Sequence, residues 1–164
     1  MSVQVRIGHG YDVHRLAPGI PFMLGGIQIE SPVGCVAHSD GDCLIHALCD
    51  ALLGALALGD IGSHFPDTSA EFKNIDSKIL LRRTYALIKE AGYELGNADC
   101  TVCLQAPKIA AFIPQMRTCL ASVLGVPEDR ISIKATTSEQ LGFVGRKEGI
   151  AVWASCLVQR IGRN

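Results

Sequence analysis

The sequence has few aromatic residues and almost no net charge. Phe, Trp and Tyr make up 5% of its 164 residues, so small aliphatic side chains must fill the core. Lys and Arg number 15 against 16 Asp and Glu, and no basic tract is present, which argues against a nucleic-acid partner. No apolar run approaches the roughly 20 residues of a membrane span. The N-terminal MSVQVRIGHG also lacks the apolar core of a signal peptide. We therefore expect no membrane association.

A disulfide framework is also missing, although cysteine itself is not. The seven cysteines are odd in number, and several lie in apolar helical or strand contexts. That distribution favours reduced, buried thiols in a cytoplasmic protein. Cys100 and Cys103 form a Cys-x-x-Cys, a spacing used in zinc and redox sites. No second pair completes a structural zinc site, and strand positions three apart face opposite sides, which disfavours both functions.

The order of patterns predicts an α+β fold: one domain over residues 1–164, with a small mixed sheet and about three helices on one side. Period-two apolar patterns indicate strands, and stripes of period 3.6 ended by Gly or Pro indicate helices. The last predicted strand is apolar on both faces. About three helices cannot cover both faces, so we expect contacts between subunits to bury the apolar surface that remains. The predicted strands are 3–14, 99–105, 130–136 and 150–158 with a hairpin over 22–29, and the predicted helices are 40–58, 76–91 and 114–124.

The stretch HSDGDCLIHALCDALLGALALGDIG combines a polar turn with a strongly apolar helical run. His46 lies four residues after Asp42 and four before Asp50, which predicts all three on one helix face. On the first strand, the period of two points Asp12 and His14 to a common face. Asp12, His14 and His46 are therefore candidate ligands of a divalent ion. Three N and O ligands with an open fourth position are typical of catalytic zinc. A histidine held by a carboxylate inside an ordinary amphipathic helix is the alternative.

Three further segments carry groups suited to phosphate or a nucleotide. Residues 136–139 end a strand with hydroxyls and a carboxylate, which suit phosphate oxygens and Mg²⁺, although a turn cap is the alternative. Residues 105–108 stop a strand at proline beside a lysine, and a surface turn is the alternative there. His38 and Ser39 stand before the central helix, where a histidine and a hydroxyl suit an anion. No Walker loop, nucleophile elbow or Rossmann fingerprint is present.

Five segments recur in the order and spacing of a known enzyme family: GHGYDVH, AHSDGDCLIHALCDALLGALALGDIG, FPDT, QAPK and KATTSEQLGFVGR. Through them the chain resembles, over essentially its whole length, the 2-C-methyl-D-erythritol 2,4-cyclodiphosphate synthases of the non-mevalonate isoprenoid pathway. Ser138, Gln140 and Ile109 depart from the residues most expected in those segments and leave the metal and phosphate groups intact. The resemblance implies a bacterial, cytoplasmic lyase. Its substrate would be 4-diphosphocytidyl-2-C-methyl-D-erythritol 2-phosphate, which it would cyclise with release of CMP.

The resemblance also implies two metal sites and an oligomer. Asp12, His14 and His46 would bind Zn²⁺. Glu139 would bind Mg²⁺ or Mn²⁺ between the two phosphorus centres of the diphosphate. The enzyme would be a homotrimer around a central β core, and each active site would lie between neighbouring subunits.

The implied catalytic residues are His38 and Thr137, which would stabilise the transition state. The substrate's cytidine end would lie against 104–110 and its methylerythritol part against 60–62 and 65–69. The full implied substrate-binding set is Asp12, Val13, His14, His38, Ser39, Asp60, Ile61, Gly62, Phe65, Pro66, Asp67, Thr68, Ser69, Leu104, Gln105, Ala106, Pro107, Lys108, Ile109, Ala110, Thr136, Thr137, Ser138, Glu139, Phe143 and Arg146.

Two functional expectations concern single residues. Phe143 and Arg146 precede the last strand, so three copies of Arg146 could hold the head of an isoprenoid diphosphate whose tail fills a central channel. A pair between Arg146 and Glu148 is the alternative. Asp50, one helical turn after His46, could orient that imidazole as a hydrogen-bond partner, or could serve a backbone group elsewhere.

Two other classes of function fit the residues alone. A zinc hydrolase would use bound water as its nucleophile at the open position. A metal-stabilised trimeric scaffold would have no turnover at all. Release of CMP without consumption of water distinguishes the cyclising enzyme from both.

Overall fold

A five-stranded mixed sheet forms the centre of the fold in the computed structural model, which describes residues 4–162. Its strand order is β4-β1-β7-β5-β6; β5 and β6 are parallel, and the other pairs are antiparallel. This is the predicted α+β fold with a mixed sheet. The elements are β1 (Val5–Pro18), β2 (Phe22–Leu24), β3 (Ile27–Ile29), β4 (Val33–Cys35), α1 (Cys43–Ala55), α2 (Ile61–His64), α3 (Ser77–Glu90), β5 (Tyr93–Cys103), α4 (Ile113–Leu124), β6 (Ile131–Thr136), α5 (Gly142–Gly145) and β7 (Gly149–Arg160).

Most predicted elements are confirmed, with shifted ends. The hairpin β2–β3 turns at Gly25 and Gly26, whose φ angles of 61° and 80° need glycine. Helices α3 and α4 are followed by Gly92 and Gly125, both with positive φ, as the sequence predicts. Strand β5 begins six residues before the predicted start at Asp99, and the predicted residue Val3 of β1 lies outside the described residues.

Helix α1 is shorter at both ends than the predicted 40–58. Asp42 is its N-cap and not part of its face, because its side chain accepts the Ile45 N–H at 3.0 Å. At the other end Leu56 is the C-cap, and Ala57 already has a left-handed φ of 57°. Gly59 therefore does not cap this helix, and of the predicted helix face only His46 and Asp50 lie within α1, because Asp42 is the N-cap.

Asp42 connects the start of α1 to the β2–β3 turn. Its carboxylate is fully buried and also accepts the backbone N–H groups of Gly25 at 3.0 Å and Gly26 at 2.6 Å. Burial raises the pKa of Asp42, and the three backbone N–H donors oppose that rise. A single side chain thus satisfies three buried donors from two separate elements.

We expect Asp42→Ala to destabilise the protein by about 3 kcal/mol or more, because it leaves three buried N–H groups without acceptors at roughly 1–3 kcal/mol each. Urea unfolding measures this change. Asp42→Asn is the matched control, because its amide oxygen still accepts some of these bonds and the loss should be smaller. Equal stability of Asp42→Ala and wild type would contradict the assigned role.

Strand β1 packs unusually closely on α1 through its two inward-facing glycines. A Cβ at Gly8 would lie 1.8 Å from the Ala51 carbonyl oxygen, and one at Gly10 would lie 1.9 Å from that of Ala47. Real Cβ atoms do not approach so closely, so only glycine allows this helix–strand distance. The same face of β1 continues to Asp12 and His14. The close packing therefore brings these two side chains up to α1.

The long helices α1, α3 and α4 lie on one face of the sheet, whereas the short helix α5 packs on the other face, where its Val144 contacts Ala151 and Cys103. On the covered face, Val152, Ala154 and Val158 of β7 are completely buried. On the opposite face Ile7 is 81% exposed and Trp153 is 39% exposed. The protomer itself therefore covers the second face of β7 at Ala151 and leaves Trp153 exposed, in line with the expected surplus of apolar surface.

Two expected absences concern the described residues. All seven cysteines lie among them and are free, and six are buried. Cys100 lies in the main core, whereas Cys103 packs with Val144 and Ala151 in a separate small cluster, so the Cys-x-x-Cys does not form a site. Between residues 4 and 162, no helix combines the length and apolar character needed to cross a membrane.

Candidate active site

Asp12, His14 and His46 bring one ligand atom each to a common point. The Asp12 Oδ2 to His14 Nε2 distance is 3.0 Å, and His14 Nε2 lies 3.0 Å from His46 Nδ1. Asp12 Oδ2 lies 3.2 Å from the same His46 nitrogen. Four ligands at about 2.0–2.1 Å from a tetrahedral zinc ion would be about 3.3 Å apart. The three donors therefore form one face of a coordination tetrahedron, and the predicted convergence of β1 and α1 is confirmed.

The charges within this cluster suit a cation. Burial raises the pKa of Asp12, but hydrogen bonds and charge from His14 and His46 outweigh burial, so its pKa lies well below its ordinary value. Burial lowers the pKa of His46, but Asp12 outweighs that effect and raises it. The carboxylate is therefore ionised and ready to act as a ligand. Two imidazoles and one carboxylate form a donor set that fits Zn²⁺ well.

The second ring nitrogen of His46 has partners that the sequence did not reveal. Nε2 lies 3.0 Å from Ser77 Oγ and 3.1 Å from Ser39 Oγ. Ser77 is the first residue of α3 and is fully buried, and its hydroxyl donates to Asp40. Ser77 lies 31 residues from His46, and no local spacing links a helix-start serine to a distant histidine. Only the sequence position of Asp40, beside the central helix, could have drawn attention to this group.

Asp50 does not orient His46, so that prediction was wrong. Its carboxylate accepts the Ile61 N–H at 2.7 Å and thereby holds the start of α2. The Ile61 N–H is a backbone partner, which was the alternative role predicted for Asp50. Asp50 lies at the end of α1 nearer the 56–60 turn, and that turn brings the Ile61 amide within reach.

The three donor residues Asp12, His14 and His46 are together called the metal cluster. A cleft of about 570 Å³ opens beside them. His38, Ser39, the start of α2 (Ile61 and Gly62) and the 65–68 loop line it together with His14 and His46. His38 Nε2 donates to the Ser69 carbonyl at 3.1 Å, which orients the ring. Of the other predicted residues here, Asp60 caps α2 by accepting the Ser63 N–H at 2.8 Å, and Ser69 caps the turn at Glu71. The remaining wall is apolar and comes from Val36, Ala37, Phe72, Ile75 and Leu80.

The predicted cytidine and diphosphate segments meet at the neighbouring ends of β5 and β6. Cys103 pairs with Thr136, the Leu104 N–H donates to the Thr136 carbonyl, and the Gln140 N–H donates to Gln105 Oε1 at 3.2 Å. Leu104 and Ile109 are buried, whereas Lys108 is exposed. Of the remaining members of these segments, Ala106, Pro107 and Ser138 lie in the loops at the same edge, and Ala110 begins a short 3₁₀ helix.

Glu139 lies in a strained turn at this edge. Glu139 and Gln140 have left-handed φ angles of 52° and 64°, which cost energy for residues other than glycine. The exposed Glu139 carboxylate accepts the Thr137 hydroxyl at 3.2 Å, and Thr137 Oγ1 accepts the Glu139 N–H. Strain of this kind is often retained at functional sites. The turn displays a carboxylate and a hydroxyl outward, next to the 105–108 loop.

The two groups of residues lie apart within one protomer. Strand β1, which carries Asp12 and His14, is separated from β6 by β7 and β5. Three strand spacings amount to about 14 Å, much longer than a diphosphate. Glu139 and Thr137 do not line the cleft that contains His14 and His46.

Three of the predicted residues lie elsewhere. The Val13 side chain points to the open face of the sheet, opposite Asp12 and His14, as strand alternation requires. Phe143 and Arg146 are exposed in and after the short helix α5. Arg146 forms a two-pronged pair with Glu148, at 3.0 Å and 3.1 Å, which is the alternative that the sequence left open.

In a mixed-sheet α+β domain, two histidines and one aspartate that could hold a metal ion line or adjoin an open cleft, an arrangement consistent with a metal-dependent enzyme. The profile of the YgbB family matches residues 5–159, and the chain belongs to this family.

Relatives of known name cover nearly all of the chain. The 2-C-methyl-D-erythritol 2,4-cyclodiphosphate synthase of Parabacteroides distasonis is 59% identical over 160 residues, which are 98% of this chain and 99% of the relative. The Plasmodium falciparum IspF in complex with CDP is 36% identical with a TM-score of 0.86, over 97% of this chain and 98% of that one. The bifunctional IspDF of Campylobacter jejuni is 46% identical with a TM-score of 0.94; 98% of this chain matches 43% of that one.

Proposed function

We propose that this protein is a phosphorus–oxygen lyase of isoprenoid precursor biosynthesis. It converts 4-diphosphocytidyl-2-C-methyl-D-erythritol 2-phosphate to 2-C-methyl-D-erythritol 2,4-cyclodiphosphate and CMP. The observation that carries this proposal is the cluster of Asp12, His14 and His46 at the cleft. It occurs in a chain that is 59% identical to a named synthase over 98% of its length. The CDP complex of the Plasmodium relative supports a cytidine diphosphate-linked substrate.

The reaction is an intramolecular phosphoryl transfer. An oxygen of the substrate's 2-phosphate bonds to the β-phosphorus, the bond from that phosphorus to the CMP oxygen breaks, and CMP leaves. Such a transfer depends on positioning and charge stabilisation and needs no protein nucleophile. Holding the two phosphates together can contribute on the order of 7–11 kcal/mol. His38 and Ser39 hold the 2-phosphate at the cleft wall, and the 61–68 loop encloses the methylerythritol part.

Two metal ions complete the proposed site. Asp12, His14 and His46 hold zinc, which fits the spacing of their donor atoms. Glu139 holds Mg²⁺ or Mn²⁺ together with substrate phosphates, because hard cations prefer carboxylate and phosphate oxygens. When bound, the ions act as Lewis acids and templates for the diphosphate. Thr137 donates a hydrogen bond toward the charge that develops on the transferred group.

The active site is assembled from two copies of the chain in a homotrimer. The separation of β1 from the β6 edge supports this proposal, because one diphosphate cannot reach both groups in one protomer. The open apolar face of the sheet supplies the contact surface. Ile7, Tyr11, Val13 and Trp153 are exposed on this face, and burying them around a three-fold axis is favourable.

We expect Trp153→Glu to convert the trimer to monomers and to remove turnover, because it places a charge in the proposed contact. Sedimentation velocity measures the mass of the particle, which for a trimer is three times the 17.5 kDa mass of the chain. Ile79→Glu is the matched control: Ile79 is similarly exposed but lies on α3, away from the open face. A trimer with Trp153→Glu, or a monomeric wild type, would rule out the arrangement.

Product analysis tests the function itself. Incubation of the metal-loaded protein with the cytidine-linked substrate should yield CMP and the cyclic diphosphate in equal amounts. In ¹⁸O-labelled water, neither product should carry the label. Label in a product would favour the zinc hydrolase, and absence of any turnover after reconstitution with zinc and magnesium would favour a scaffold.

Three further features belong to the same proposal. The chain forms one catalytic domain over residues 1–164, and its reduced cysteines support a location in the bacterial cytoplasm. An isoprenoid diphosphate in a channel on the three-fold axis, with its head on Arg146, stays a prediction. To bind Arg146, the diphosphate would have to displace Glu148 from its ion pair with Arg146. That pair is exposed, and exposed ion pairs are weak.

A further inference from the structure

The chain of contacts behind His46 suggests a role for two residues outside the metal cluster and the cleft. Ser77 and Asp40 stand on the side of the imidazole away from Asp12 and His14. Ser77 is fully buried at the start of α3, and Asp40 lies in the turn before α1. Neither side chain is within the set of donor atoms that converge on the metal position.

The tautomer of His46 decides whether it can bind a metal. Nδ1 is the nitrogen that faces Asp12 and His14, so Nδ1 must carry its lone pair and Nε2 must carry the proton. A protonated Nε2 needs an acceptor at hydrogen-bond distance, because burying an unpaired N–H is costly and the His46 side chain is only 11% exposed. Two hydroxyls are within reach, those of Ser77 and Ser39.

Of these two hydroxyls, that of Ser77 is held so that it must accept the proton of His46 Nε2–H. Both Asp40 oxygens act as acceptors, Oδ1 for the Asp42 N–H at 3.2 Å and Oδ2 for the Ser77 N–H at 3.0 Å. The Ser77 hydroxyl donates its one proton to Asp40 Oδ1, which leaves its lone pairs directed at His46. Ser39 accepts the Gly41 N–H at 3.2 Å, and within residues 4–162 its proton has no carboxylate partner. Ser39 is therefore free to turn toward a ligand in the cleft.

We propose that Ser77 and Asp40 are positioning residues that hold His46 in its metal-binding tautomer and orientation, an inference that rests on the proposed metal site. Hydrogen bonds run from His46 Nε2–H to Ser77 and from Ser77 to Asp40. They join α1 and the turn before it to the start of α3, which lies 31 residues after His46. Outer partners of this kind raise ligand basicity and reduce the disorder of the ring.

Zinc affinity, measured by competition with a chelator on the full-length protein, tests the inference. We expect Ser77→Ala to weaken zinc binding roughly 10–100-fold and Asp40→Asn to weaken it in the same direction. Ser77→Thr retains the hydroxyl and should recover most of the affinity. The visible absorption of Co²⁺-loaded Ser77→Ala should differ from that of the wild type, since ring orientation affects the ligand field. Asp40→Asn provides a second measurement if Ser77→Ala folds poorly.

Thr84→Val is the matched control, because it removes another buried hydroxyl from α3 without touching His46. Its zinc affinity should equal that of the wild type. Wild-type zinc affinity and Co²⁺ spectrum in Ser77→Ala, or an equal loss in Thr84→Val, would overturn the inference. His46→Ala separates the two ideas: if it keeps wild-type zinc affinity, the metal site itself is wrong.

Discussion

His46→Ala should leave a folded protein that has lost most of its bound zinc and at least about 10³-fold of its turnover. The substitution removes one of three converging donors, and a site left with Asp12 and His14 holds the ion weakly. Loss of the ion removes several kcal/mol of charge stabilisation, and each 1.36 kcal/mol is a tenfold change in rate. Metal analysis of the purified variant and a CMP-release assay measure the two effects, and circular dichroism verifies the fold.

Asp50→Asn is the control for this experiment. It lies on the same helix one turn from His46 and accepts a hydrogen bond from Ile61, which an amide oxygen can also accept. Its zinc content should match that of the wild type. Full turnover by His46→Ala without bound zinc would refute the assignment of this cluster.

Glu139→Gln should retain zinc and lose roughly 10²–10³-fold of its Mg²⁺-dependent turnover. The amide oxygen of glutamine can still accept the Thr137 hydroxyl, so the strained turn should persist. Only the negative charge is lost, and a neutral amide is a poor ligand for a hard cation. Turnover titrated with Mg²⁺ and with Mn²⁺, beside zinc analysis, measures the change.

Glu128→Gln provides the matched control, since it removes an acidic charge from the turn before β6, away from the 136–139 segment. Its Mg²⁺ dependence should be that of the wild type. Zinc loss in Glu139→Gln together with an unchanged Mg²⁺ dependence would show that the roles of the two metal positions have been assigned wrongly.

Local periodicity predicted that Asp12 and His14 share a face, and the family resemblance added His46 as the third ligand. Asp12 and His14 are two residues apart on a strand, so they share a face whatever the rest of the fold does. Gly8 and Gly10 share that face, and their lack of a side chain lets β1 pack closely against α1, the helix that carries His46. The shared face of Asp12 and His14 depends on positions near one another in the chain, and the main strands and helices follow from the same kind of pattern. The packing of β1 on α1 joins distant positions and was seen only in the structure.

Helix ends and hydrogen-bond partners were less predictable. Asp42 and Asp50 look equivalent in sequence, each four residues from His46, yet one caps α1 and the other holds α2. An aspartate's preferred partner is whichever backbone N–H the neighbouring turn presents, and a helical repeat carries no information about that turn. For this reason Asp42 does not belong to the predicted face, and Asp50 does not hydrogen-bond to the His46 ring.

The sequence by itself determined the family, the strand and helix order, and the three donor residues, because each depends on short-range spacing or on segments read in order. Only the tertiary structure decided that Ser77 and Asp40 stand behind His46 and that Arg146 pairs with Glu148. It also decided that the edge strand β6, which Glu139 follows, lies three strands from β1 with Asp12 and His14. Such contacts join elements far apart in the chain, and their partners are selected by packing of the whole domain, which no local pattern encodes.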